Sequence, residues 1–117
     1  EMQARSLVAH LVDRLICPEP IDAILVPSDG NAYAVAAACR LCGRVPGEDV
    51  LIAGYDNYWD QCPERQYEPS IPAVTIDKRN FEMGQSLVAL LEDRIAGRLE
   101  DQPVCRLVQP YLVVPGS

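Results

Sequence analysis

Apolar residues at Leu7, Val8, Leu11, Val12, Leu15 and Ile16 recur at three- and four-residue intervals, and only a helix gathers such a stripe onto one face. Pro18 and Pro20 end that helix, because proline lacks the amide a continuing helix needs. The run Ala23, Ile24, Leu25, Val26 follows between Asp22 and Pro27, and its continuous apolar character predicts a short strand buried on both faces. Ser28 and Asp29 then offer a helix cap. Small and apolar residues at helical spacing across 31–42 predict a second helix, with Gly43 placed to close it.

After a turn through Pro46 and Gly47, the run Val50, Leu51, Ile52, Ala53 predicts a second strand stopped by Gly54. Helix, strand, helix, strand with short connections is the order of a parallel α/β sheet. The stretch 55–72 breaks that rhythm. It is polar, contains proline, gathers Tyr55, Tyr58, Trp59 and Tyr67, and exceeds the ~12–15 residues beyond which loops are usually functional or mobile.

Ala73, Val74, Thr75 and Ile76 predict a further strand. Gly84, Leu87, Val88, Leu91 and Ile95 mark one face of a third helix that stops at Gly97. Two strand-like pieces, 105–108 and 111–114, finish the chain on either side of Pro110. The composition changes most in the loop before Ile71 and Pro72, so a boundary is expected there, dividing the chain into 1–72 and 73–117.

Composition narrows the possibilities. The chain has 117 residues, enough for one hydrophobic core, and 49% are apolar against 23% charged, which argues for a packed globule. A net charge of -7 would repel a polyanion, so direct nucleic-acid binding by this segment is not expected. The apolar runs are too short to span a bilayer. Five cysteines, an odd number and scattered, fit reduced thiols and a cytoplasmic protein.

The search for chemistry eliminates more than it finds. Cys39 and Cys42 form C-x-x-C at the C-terminal end of a helix with no second pair or histidine to complete a zinc site, so both read as small core residues. His10, the only histidine, lies on the polar side of the first helix without a nucleophile at a recognisable spacing. Neither G-x-G-x-x-G nor G-x-x-x-x-G-K-S/T occurs, which removes the usual phosphate cradles. No catalytic residue, metal or cofactor is expected. An enzyme working through the loop acids Asp56, Asp60, Glu64 and Glu68 would lack a nucleophile, a metal set and a phosphate loop.

One positional rule remains. Parallel sheets bind ligands beyond the carboxyl ends of their strands, which here are Ser28 with Asp29, and Tyr55 with Asp56 and Asn57. Asp56 directly follows a buried strand, so its carboxylate would stand on a rigid base where it could accept from vicinal hydroxyls or an amine. A turn-forming aspartate is the plainer alternative.

In order, Ile21-Asp22-Ala23-Ile24, Ser28-Asp29, residues 43–50 (G-R-V-P-G-E-D-V) and residues 52–57 (I-A-G-Y-D-N) resemble the C-terminal half of LacI-type sensor domains. That family shows P-D-A-I-F, A-N-D, G-x-x-V-P-x-D-V and V-x-G-F/Y-D-D/N in the same order. Pro72, Thr75-Ile76 and Met83-Gly84 are similar to its P-x-x-T-T-I/V and M-G positions, and Pro110 with Leu112, Val113 and Ser117 to its closing P-x-L-V-x-R-x-S. The chain departs from the family at Ser28, where asparagine is usual, at Pro115, where arginine is usual, and in the aromatic, charged loop after Asn57.

The resemblance implies a three-layer α/β fold of the type I periplasmic-binding-protein-like kind, in part: most of the C-terminal subdomain, then a crossover near residues 71–76, then the last helix and strands of the N-terminal subdomain. It implies an effector-sensing segment of a transcription regulator, binding a sugar or related metabolite in an inter-subdomain cleft. DNA would be contacted through a separate N-terminal helix-turn-helix domain, and the effector would set the closure angle of the two subdomains. By position, Asp56 matches the family's effector-binding aspartate and Ser28 its strand-end asparagine, with Asn57 beside them. Lys78, Asn80 and Phe81 fall where the family places cleft side chains. A homodimer is expected, with exchange of the third helix and final strands as one route to it. The alternative on the same fold is a solute-binding protein of a transport system, which is exported and would normally avoid five free thiols.

Overall fold

The computed structural model describes residues 2–117. Helix α1 (Met2–Leu15) carries the predicted stripe and ends just before Pro18. Strand β1 (Ala23–Leu25) leads into helix α2 (Asp29–Leu41), and strand β2 (Leu51–Ala53) lies parallel to β1 with Ala23 opposite Leu51 and Leu25 opposite Ala53. Ser28 is the N-cap of α2 and its side chain accepts a hydrogen bond from the Asn31 amide. Gly43 takes a φ of 76° just past the helix, the left-handed turn that glycine adopts without a Cβ penalty.

Strand β3 (Thr75–Asp77) continues the sheet beside β2. A parallel bridge joins Ala53 to Val74, and the amides of Ala73, Gly54 and Asp56 alternate across the seam, meeting the carbonyls of Ile52, Val74 and Ile76 at 2.8 Å each. Strand β4 (Tyr111–Val113) pairs antiparallel with β3, so the parallel sheet carries one antiparallel edge. Between β3 and β4 stands helix α3 (Asn80–Ile95).

One core holds α1, α2, β1 and β2 together. Leu15, Val26, Ala32, Val35, Ala36, Cys39, Val50 and Ile52 form it, with Leu7, Leu11, Ile21, Ile24 and Cys42 packed around. Helices α1 and α2 thus cover one face of β1 and β2, and each fully buried aliphatic side chain contributes about 1.5–3 kcal/mol. Both cysteines of the C-x-x-C face this layer, and burial pushes the Cys39 thiol up to about 11.

Three expectations need correction. The first strand is not buried on both faces: Leu25 is 76% exposed and Leu51 is also exposed, because among the described residues nothing covers that side of the sheet. The piece 105–108 is not a strand, since no neighbouring strand accepts its backbone; only 111–113 pairs. Helix α3 has the predicted stripe, yet buries none of its residues, so Leu87, Val88, Leu91 and Ile95 all meet solvent. The molecule is accordingly long, 60 × 27 × 26 Å.

Candidate functional site

The loop ends of β1 and β2 meet through Asp29, which is completely buried. Its amide donates to the Tyr55 carbonyl at 2.9 Å. One carboxylate oxygen accepts from the Thr75 hydroxyl at 2.7 Å, and the other accepts from the Tyr58 amide at 2.8 Å. A single side chain therefore ties the start of α2 to the loop after β2 and to the crossover strand β3. Its charge also sits in the first turn of α2, where the helix dipole favours an anion.

That tie holds an unusual backbone. Asp56 has φ 90° and Asn57 has φ 52°, both in the left-handed region that non-glycine residues rarely occupy. Each such residue costs on the order of 1–3 kcal/mol and persists only where its surroundings over-determine it. Here they do: the Asp56 amide donates to the Ile76 carbonyl, and the Asn57 amide donates to the Thr75 hydroxyl at 3.2 Å. Asp56 lies in the bend beyond β2, tied to β3 through its own amide.

Asp56 meets Lys78 there, with the ammonium 2.6 Å from Oδ1. The same ammonium lies 5.7 Å from the centre of the Tyr55 ring, within cation–π range. Hydrogen bonding to Asp56 raises the Lys78 pKa above its ordinary 10.5, so the ammonium is charged at any physiological pH. Both side chains are half-buried, and Oδ1 itself has no exposed surface.

Asp77, one residue before Lys78, is occupied differently. It accepts from the Asn57 side-chain amide at 2.9 Å, the Arg79 amide at 2.6 Å and the Tyr111 hydroxyl at 3.1 Å. The Asn57 bond, followed by that from the Arg79 amide, holds the Asp77 carboxyl below its ordinary 3.8, and the Tyr111 phenol is pushed above its ordinary 10.0 in turn. Arg79, the third non-glycine residue at positive φ, 58°, is the N-cap of α3, two residues past the end of β3.

Of the six residues singled out in the sequence, the structure brings Asp56, Asn57 and Lys78 together at the end of β2 and β3. Ser28 lies one residue before the Asp29 bond to Tyr55, on the adjoining loop. Asn80 and Phe81 open α3, and both are exposed, Phe81 at 76%. Sequence reasoning placed Asp29 at a strand end and in the helix cap but not among the six site residues, and it gave no bracing role to Asp29, Thr75 or Asp77. The available signal was an acidic residue directly following a strand end, beside the capping serine.

The long loop is structured. It contains two 3-10 turns, Trp59–Gln61 and Pro63–Gln66, and is pinned to α2 at three places. The Tyr58 hydroxyl accepts from the Gly30 amide, the Tyr33 hydroxyl donates to the Trp59 carbonyl at 2.8 Å, and Arg40 pairs with Glu68 at 3.0 Å. Burial pushes the Tyr33 phenol up to about 12, which keeps it a donor. Among the described residues no cluster of histidine, cysteine or acidic side chains could hold a metal ion.

This arrangement, a parallel α/β sheet with polar loops at its strand ends, is that of periplasmic-binding-protein-like domains. The chain belongs to the periplasmic binding protein-like domain family, which matches it over residues 1–117. It is 32% identical over 112 residues to the HTH-type transcriptional regulator CelR of Thermobifida fusca, a match covering 96% of this chain and 30% of the relative. It is 38% identical over 80 residues to the HTH-type transcriptional repressor PurR of Pectobacterium carotovorum subsp. carotovorum (strain PC1), covering 68% of this chain and 21% of the relative. The chain thus spans less than a third of the length of the curated relatives it matches.

Among solved structures, a complex of the transcriptional regulator CelR with cellobiose superimposes with a TM-score of 0.69 at 26% identity, covering 95% of this chain and 30% of that one. An uncharacterized protein from Actinobacillus succinogenes superimposes with a TM-score of 0.67 at 20% identity over 97% of this chain and 39% of that one, which speaks to the fold alone. The LacI-type resemblance read from the strand-end motifs is upheld by these relatives.

Proposed function

We propose that this chain is the effector-binding segment of a LacI-type transcription regulator, taking a sugar or related polyhydroxylated metabolite in a cleft between two subdomains. The observation that carries the reading is the Asp56 carboxylate, displayed beyond the end of β2 on a left-handed backbone that Asp29 and Thr75 brace. A carboxylate held this way accepts hydrogen bonds from hydroxyls without having to be ordered on binding. Lys78, Asn57 and Ser28 join it as contacts, and Asn80 and Phe81 supply a wall from the start of α3. The regulators named among the relatives support a regulator over an exported binding protein or an enzyme.

In this reading residues 1–72 belong to the effector-binding subdomain and 73–117 to the crossover and the other subdomain. The single core built from α1, α2, β1 and β2, and the uncovered stripe of α3, support that division. The remainder of the second subdomain would cover α3. A bound effector bridging both would favour one closure angle and so set whether paired helix-turn-helix heads fit their DNA half-sites, in the cytoplasm. The regulator would act as a homodimer, with exchange of α3 and β4 as one way to form it.

The test is calorimetric titration of the intact protein with neutral mono- and disaccharides, cellobiose among them, repeated on Asp56→Asn. Binding of one saccharide that weakens at least about tenfold in the variant supports the reading, since a hydrogen bond to a charged group is worth roughly that factor. Unchanged affinity in Asp56→Asn removes Asp56 from the site.

A further inference from the structure

We propose that Lys78 and Asp56 act as one recognition unit that reads a pair of neighbouring hydroxyls and rejects a protonated amine, making Lys78 a specificity-determining residue. The inference rests on the effector reading above and deepens it. The ammonium lies 2.6 Å from Asp56 Oδ1, an oxygen with no exposed surface, so Lys78 keeps its other N–H donors and the carboxylate keeps its second oxygen, Oδ2, as the acceptor for a ligand. What the pair presents outward is therefore a donor set and an acceptor set side by side. Two adjacent hydroxyls match it: one donates to Asp56 while its neighbour accepts from Lys78.

Charge decides what is excluded. Asp56 alone would be a good seat for an ammonium ion, and a residue in its position offers no discrimination between a hydroxyl and an amine. With Lys78 in contact the unit is neutral, and a cationic ligand group must approach a fixed like charge. The Tyr55 ring flanks the same ammonium at 5.7 Å, a second contact that favours its place beside Asp56. The two carboxylates that flank it are otherwise engaged: Asp77 has its oxygens held by Asn57, Arg79 and Tyr111, and Asp29 is buried against Thr75 and Tyr58.

The experiment titrates the intact protein and two variants, Lys78→Met and Lys78→Arg, with matched sugars and amino sugars at a pH where the amines are protonated. The pairs are glucose and glucosamine, galactose and galactosamine, and cellobiose and the β-1,4 dimer of glucosamine. In the wild type the neutral member of the bound pair is expected to win by at least about tenfold. Lys78→Met should lose roughly tenfold or more for the neutral sugar. It should also narrow or invert the preference, because Asp56 then stands unpaired. Lys78→Arg, which keeps charge and donors, should restore most of the discrimination. A Lys78→Met protein that keeps the wild-type ratio overturns the role of Lys78 while leaving the sugar reading intact. A wild type that binds no member of any pair overturns the sugar reading and this proposal with it.

Discussion

The Asp29 carboxylate occupies the space where a side chain on Gly54 would begin. A Cβ built on Gly54 would lie closer to Asp29 Oδ1 than the 3.0 Å that real Cβ contacts respect. The absence of a side chain at the end of β2 is thus what lets the buried carboxylate reach Thr75 and Tyr58. Gly54→Ala is expected to force Asp29 out of that position. Overpacking alone costs about 1–3 kcal/mol, and disrupting hydrogen bonds to a buried charge adds a comparable amount. Urea denaturation of the intact protein measures it; a variant within about 0.5 kcal/mol of wild type would show that Asp29 has room to move.

Thr75→Val keeps the shape of the side chain and removes only the hydroxyl. Two bonds go with it, the donation to Asp29 Oδ1 and the acceptance from the Asn57 amide. Leaving a buried charged acceptor unmatched costs roughly 1–3 kcal/mol, so a stability loss in that range is expected. The loss should be accompanied by weaker effector binding, because Asn57 is released from its left-handed turn. A stability loss with unaltered affinity would separate the brace from the site.

Much of this was legible in the sequence, and the parts that were not have a common cause. The stripe of α1, the cap at Ser28, the C-terminal glycine of α2 and the strand around Ile52 are local patterns, set by periodicity and by single-residue conformational preference. Asp56 was singled out because it follows a strand end, and Asp29 was noticed there too. Its role as a brace was not legible, because that role comes from Thr75, which is distant in sequence and reaches it only when β3 docks beside β2. The exposure of Leu25 and of the α3 stripe was equally hidden. An apolar run declares that a face wants covering; it does not say that the cover lies within the same stretch of chain.

Acid should weaken the β3–β4 edge in a way that Asp77→Asn dampens. The Asn57, Arg79 and Tyr111 donors hold the folded Asp77 carboxyl below its ordinary 3.8, so between the folded and unfolded values the unfolded chain binds more protons. Stability therefore rises with pH across that window. The contribution is fully present above about 3.8, shrinks as the pH falls below it, and is gone once the depressed folded value is passed. Urea midpoints recorded from neutral pH down through the carboxylate range should fall less steeply for Asp77→Asn than for wild type. Parallel curves would mean that Asp77 carries no such linkage.

The aromatic loop after Asn57 should open when Arg40 is lost. Glu68 is only 4% exposed, and both of its oxygens accept from Arg40 Nε, at 3.0 and 3.1 Å, while one also accepts from the Ser70 amide. Arg40 reaches on to the Ser70 hydroxyl at 2.6 Å, so one guanidinium clamps the far end of the loop onto α2. Because Arg40 is itself 41% exposed, water offsets part of the loss, and Arg40→Ala is expected to cost about 1–2 kcal/mol of local stability. Proteolysis that follows the population of an opened segment converts this into roughly a tenfold rate change. Trypsin cleavage after Arg65, inside the loop, should therefore accelerate by about that factor in Arg40→Ala. Cleavage after Arg98, beyond α3, should keep its wild-type rate and serve as the internal reference, with mass spectrometry of the fragments as the readout. Equal acceleration at both positions would point to global destabilisation, and no acceleration at Arg65 would show that Tyr58 and Tyr33 hold the loop without the clamp.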